Sequence, residues 1–147
     1  MISPGIVDRQ EKQACILVVE YQPVLEALYH TMLGLAGYCP SSLPATQDIT
    51  SLNWIEKVRC DPPALLLLDI DVAGREKVTF LSQLEQRWRA CVGTTLPAIL
   101  LTTDVRILPF LEKNYLVLIK PFHFSDLCKI LEKACAHSSA PLCHRRA

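Results

Sequence analysis

Four polar residues in this chain each close an unbroken apolar run. Cys15-Ile16-Leu17-Val18-Val19 ends at Glu20, Leu65-Leu66-Leu67-Leu68 at Asp69, Ile99-Leu100-Leu101 at Thr102, and Leu116-Val117-Leu118-Ile119 at Lys120. Apolar runs without alternation are the pattern of strands buried on both faces of a parallel sheet. In open α/β sheets ligands and chemistry gather just beyond the carboxyl ends of the strands, so these four side chains are expected on one rim. An acid, an alcohol and an amine delivered there would stand close enough to act together. Read singly, each has a plainer role: Asp69 could end a strand or cap the next turn, Thr102 could be a strand-end hydroxyl and Lys120 an exposed strand-end charge. Their joint recurrence at strand ends favours chemistry.

The elements that must position them alternate along the chain. After the first strand, Pro23 stands where a helix's first turn tolerates it, and Val24, Leu25, Leu28, Met32 and Leu35 recur at helical spacing up to Gly37. Cys39 to Thr46, with two prolines and several hydroxyls, predicts a short, irregular edge strand. Asp48 or Thr50 can cap a helix carrying Leu52, Ile55 and Val58 on one side, stopped by Asp61-Pro62-Pro63. Beyond Asp71 a turn over 72–75 leads to a helix whose inner stripe is Val78, Leu81, Leu84 and Trp88. A fourth strand (97–103) ends in two hydroxyls. Val105 to Asn114 reads as a short helical segment interrupted by Pro109, and the fifth strand (115–119) feeds a helix from Phe124 to His137, with Ser125 as its cap and Leu127, Ile130, Leu131 and Ala134 facing inward. Five strand-helix alternations predict a doubly wound parallel α/β sheet in three α/β/α layers, flavodoxin-like in type, with right-handed crossovers. Residues 1–13 are expected to be a loosely ordered lead, 14–137 the domain, and 138–147 a flexible tail.

Composition narrows the function classes. At 147 residues the chain is one domain's worth; half the residues are hydrophobic, and 15 basic residues against 15 acidic give no field for steering toward nucleic acid or an anionic membrane. The basic cluster His144-Arg145-Arg146 lies in a tail too short to fold, so no direct nucleic-acid partner is expected. No apolar run approaches a membrane span, the start lacks a signal peptide's hydrophobic core, and a cytoplasmic location is expected. The seven cysteines show no C-x-x-C and no metal-ligand spacing, and read as reduced small hydrophobes. Trp54 and Trp88 read as helix-face residues.

Taken together, Ile16-Leu17-Val18-Val19-Glu20-Tyr21-Gln22-Pro23, Leu66-Leu67-Leu68-Asp69, Ile99-Leu100-Leu101-Thr102 and Ile119-Lys120-Pro121-Phe122 resemble, in order and spacing, the signatures of the receiver domain of two-component response regulators. The resemblance covers residues 14 to 137. It implies a five-stranded sheet in the order 2-1-3-4-5 and a phosphoryl group accepted on Asp69 from a histidine kinase or phosphotransfer protein. It further implies Lys120 bonded to the acceptor carboxylate and then to phosphoryl oxygens, and Thr102 turning inward to hold the installed phosphate as the switch. A carboxylate attacking a phosphoryl group meets a cluster of negative oxygens, so a hard cation and a fixed ammonium suit this chemistry. The cofactor implied is Mg²⁺, held by Glu20 and Asp69.

The departures from that family are specific. The second acid after strand one is Tyr21, and a protonated phenol is a poor Mg²⁺ ligand. Asp71 could supply the missing carboxylate, or be a solvated loop acid. Ala73 replaces the family's loop proline, Val117 its aromatic switch residue, and the fourth helix is short. Two functions follow: a single-domain receiver in a phosphorelay that signals to a downstream protein by contact, or a pseudo-receiver that docks proteins independently of phosphorylation. Catalysis would extend at most to self-phosphorylation and self-dephosphorylation. A homodimer through the last helices is left open. A flavodoxin-like cofactor binder is disfavoured, because Glu20-Tyr21-Gln22-Pro23 would repel a cofactor phosphate where a phosphate loop is needed.

Overall fold

Strand β3 (Leu65–Asp69) is buried along its whole length and lies at the middle of a five-stranded sheet. The structure, a computed structural model, describes residues 14–44 and 46–137. Around β3 run β1 (Cys15–Val19), β2 (Cys39–Ser42), β4 (Ala98–Thr102) and β5 (Leu116–Ile119), all parallel, in the order β2-β1-β3-β4-β5. The helices are α1 (Pro23–Leu35), α2 (Trp54–Val58), α3 (Lys77–Val92), α4 (Leu108–Leu111) and α5 (Phe124–His137).

Side chains alternate across a strand, and both faces of this sheet are covered. Leu17, Val19, Leu66, Leu68 and Leu100 pack under α2 and α3 with Trp54, Ile55, Leu84 and Trp88. Ile16, Val18, Leu65, Leu67, Ile99 and Leu101 pack under α1 and α5 with Tyr29, Leu33, Leu127 and Leu131. This is why the runs show no alternation: every position meets a core. Among the described residues no helix is long and apolar enough to cross a membrane.

The irregular second strand is present as a four-residue edge strand, with Pro40 paired against Ile16 at the sheet's margin, where a missing N–H costs least. Helix faces differ from the apolar spacing. In α1, Val24, Leu28 and Leu35 are exposed and the buried residues are Tyr29 and Leu33. In α3, Val78 is exposed and Phe80 joins Leu81, Leu84 and Trp88 in the core. Asp48 caps a 3₁₀ turn (Ile49–Ser51) instead of a long helix, and Leu52 ends that turn at φ 65, outside the helix stripe expected of it. Pro109 sits in the first turn of α4, which is only four residues long, so it opens this helix and does not interrupt it. Ser125 lies within α5; the carboxylate of Asp126 accepts from the backbone N–H of His123, 3.0 Å away, ahead of the helix. Cys15, Cys39 and Cys60 are exposed, so these three are not core hydrophobes.

Both tryptophans are fully buried, and Trp54 Nε1 donates to the carbonyl of Ile49 at 2.8 Å, tying α2 to the preceding turn. Trp54→Phe removes that donor and leaves a small void, and should cost about 1–3 kcal/mol, read as a lower urea midpoint in Trp88 fluorescence.

Candidate functional site

The carboxyl ends of β1, β3, β4 and β5 carry Glu20, Asp69, Thr102 and Lys120, and the first three are buried. Register sets their depth: Asp69 pairs with Leu101, Leu101 with Leu118 and Thr102 with Ile119, so Thr102 stands one step and Lys120 two steps beyond Asp69 along the rim. Lys120 N–H donates to the carbonyl of Thr102 at 2.9 Å, which fixes the backbone from which its side chain returns across the sheet edge. The Lys120–Pro121 peptide that follows is cis.

Lys120 Nζ donates to Asp69 Oδ2 at 2.6 Å, with Asp69 only 1% exposed, and lies 3.2 Å from Asp71 Oδ2. The other Asp69 oxygen accepts from the backbone N–H of Asp71 at 2.9 Å and so caps the 3₁₀ turn Ile70–Ala73. Both acceptor oxygens are thereby oriented, which is what a carboxylate nucleophile at a rigid rim requires.

The Thr102 hydroxyl goes elsewhere than Asp69. It donates to Asp71 Oδ1 at 2.6 Å and accepts from Asp104 N–H at 3.0 Å. Thr103 adds its N–H (2.9 Å) and hydroxyl (3.1 Å) to Asp71 Oδ2, and Lys77 Nζ stands 4.0 Å from Asp71 Oδ1. Thr103 and Lys77 carried no role in the sequence reading; the second hydroxyl after β4 was the available signal for Thr103. Burial works to raise the Asp71 pKa, but the bonds from Thr102, Thr103 and Lys120 prevail and hold it below the usual carboxylate range. Burial likewise opposes the Lys120 charge, and Asp69 and Asp71 together hold its pKa above the ordinary lysine value.

Glu20 contrasts with both. Burial, and then the neighbouring Asp69 carboxylate, push it up to about 8. Its Oε2 accepts from Gln22 N–H at 3.2 Å, while Oε1 is buried with no hydrogen-bond partner. An orphaned acid oxygen beside a second carboxylate is a donor set for a hard cation, and Mg²⁺ commonly uses only one or two protein carboxylates. Glu20 and Asp69 therefore fit such an ion. Asp71 does not join them: among the described residues no three acidic, histidine or cysteine side chains form one metal-binding group. Tyr21 is 58% exposed, its hydroxyl 3.4 Å from Gln22 Nε2 and out of the rim. Tyr115 donates to Glu85 of α3, and Val117, level with Leu100 on β4, packs at the edge of the core.

The sequence matches no protein-family profile and no curated protein. Its fold is similar to that of solved receiver domains. The chemotaxis protein CheY4 of Vibrio cholerae matches with a TM-score of 0.61 and 18% identity over 83% of this chain and 98% of that one. The PhyR response regulator receiver domain of Erythrobacter litoralis gives 0.62 and 17% over 88% and 95%. A response regulator receiver protein from Burkholderia phymatum gives 0.60 and 17% over 83% and 94%. The chain therefore has the receiver fold, with the five-stranded order 2-1-3-4-5 that its motifs imply.

Two tests follow from the charges. Because Glu20 binds its proton more tightly in the folded chain than at its ordinary value of 4.5, its contribution to stability is full below pH 4.5 and is lost as pH rises through about 8. In metal-free buffer Glu20→Gln should flatten that decline, giving a higher melting temperature than the parent chain at pH 8 and above. Lys120→Met leaves Asp69 as a buried, unpaired charge and should cost about 3–5 kcal/mol in denaturant unfolding at neutral pH.

Proposed function

We propose that this chain is a phosphorelay receiver acting in the cytoplasm. It accepts a phosphoryl group on Asp69 from a histidine kinase or phosphotransfer protein and signals through contact with a downstream protein. The observation that carries this reading is the 2.6 Å contact between Lys120 Nζ and the buried Asp69 carboxylate at the sheet's carboxyl rim. The Asp69 oxygen attacks phosphorus, the bond from phosphorus to the donor's imidazole nitrogen breaks, and that nitrogen keeps the electron pair. An aspartyl phosphate results. Lys120, already charged and hydrogen-bonded, offsets the negative charge that approaches Asp69, and Asp71 N–H holds the nucleophile's second oxygen in place. Glu20 and Asp69 would hold Mg²⁺, which when bound supplies the further positive charge that phosphoryl oxygens require. The formal net charge of zero supports a protein partner over nucleic acid.

A second reading, docking that is independent of phosphorylation, is favoured by Tyr21, which leaves the rim without its second acid after β1. Acetyl phosphate separates the two, with attack by Asp69 expelling acetate. Incubation with acetyl phosphate and Mg²⁺ should add one phosphoryl group to the intact mass, and Asp69→Ala should abolish the gain. An unmodified parent chain would favour the docking reading.

A further inference from the structure

The Asp71 carboxylate is surrounded by a set of donors built for an oxyanion. Two hydroxyls, a backbone N–H and an ammonium converge on it: Thr102 Oγ1 at 2.6 Å, Thr103 N at 2.9 Å and Oγ1 at 3.1 Å, and Lys120 Nζ at 3.2 Å. A carboxylate offers about four lone-pair sites, so this one is saturated. The same Lys120 nitrogen lies 2.6 Å from Asp69 Oδ2, which means that any oxyanion attached to Asp69 comes within reach of the donors that Asp71 already uses. A phosphoryl group carries nearly two negative charges and three strong acceptor oxygens, and it would compete with Asp71 for one ammonium and one hydroxyl.

We propose that Asp71 is an internal stand-in for the phosphoryl group: it occupies the phosphate-binding donors and holds Thr102 inward before any phosphoryl group arrives. Phosphorylation of Asp69 therefore requires Asp71 to leave, and the Thr102 arrangement that phosphate would otherwise impose is already populated without it. Departure needs no unfolding, because the Asp71 side chain is 18% exposed at the rim, on a 3₁₀ turn outside the sheet. Thr102, in contrast, is fully buried with its hydroxyl committed to Asp71, so its position follows that of the carboxylate. The uptake half of this inference rests on the phosphoacceptor reading above; the holding of Thr102 does not.

The test compares the parent chain with Asp71→Ala and Asp71→Asn, each first checked for a cooperative thermal melt; Asp71→Asn, close in shape, replaces Asp71→Ala if the latter does not fold. By NMR, without a phosphoryl donor, the Thr102 methyl and the Thr103 amide should hold single, dispersed positions in the parent chain and shift toward averaged positions in the variant. With acetyl phosphate and Mg²⁺, the variant should gain phosphoryl mass roughly tenfold faster than the parent chain, an effect that a purely structural side chain would not produce. Unmoved Thr102 and Thr103 signals overturn the inference, as does phosphoryl uptake by the parent chain that is no faster in the variant. If neither protein gains mass while the two signals move, the phosphoacceptor reading fails and the holding of Thr102 by Asp71 stands.

Discussion

One ammonium holds the carboxyl rim of this sheet together. Lys120 Nζ lies 2.6 Å from Asp69 and 3.2 Å from Asp71. A buried charge is tolerated only when paired and hydrogen-bonded, and the donors here are distributed to that end. Asp69 has Lys120 and a backbone N–H; Asp71 has Lys120 and three donors from Thr102 and Thr103. At Glu20 burial and the Asp69 carboxylate outweigh one backbone N–H and the attraction of Lys120, so it retains its proton well above the usual range. Glu20 and Asp71 are thus shifted in opposite directions, Glu20 upward by burial and by Asp69, Asp71 downward by the donors of Thr102, Thr103 and Lys120.

That arrangement depends on a scaffold that does not yield. Leu66, Leu67 and Leu68 precede Asp69 with no exposed surface, and Leu100 and Leu101 precede Thr102 in the same way. With cores on both faces, a slip of either strand would move apolar side chains into the rim and withdraw the polar ones, so the register that places Asp69 against Leu101 is strongly enforced. The polar residues can therefore be costly in themselves and still be held in place by the burial beneath them.

The strands, and the residues that end them, were legible because a doubly buried strand leaves an unmistakable apolar run and a polar residue must follow where the run meets water. Helix faces were harder to read. Val24 and Leu35 occur at the right spacing in α1 but point to solvent, while Tyr29, whose hydroxyl makes it an ambiguous core residue, is buried; Val78 and Phe80 in α3 exchange roles in the same manner. Spacing defines a stripe, whereas the packing partner selects which of two neighbouring stripes is covered. The bonding of Thr102 to Asp71 was beyond sequence reasoning for a different reason. Position in the chain places both at the rim, but a rotamer choice between two carboxylates depends on donors such as Thr103 N–H and Lys77 whose approach only the folded turn determines.

The phenol at Tyr21 and the acid at Asp71 are best understood together. Tyr21 points into solvent and brings no charge to the rim, so Glu20, Asp69 and Asp71 are its acids and Lys120 its closest cation, with Lys77 4.0 Å from Asp71. A fourth carboxylate after β1 would add repulsion to a site where Glu20 already holds its proton up to about 8 because of burial and of Asp69. With a phenol at position 21 that repulsion does not arise on the β1 side, and the acid at position 71 is accommodated on the β4 side because hydroxyl, amide and ammonium donors are available there. The outcome is a rim whose buried Asp69 is paired with Lys120 while the donors on its β4 side are already satisfied by Asp71 from within the chain.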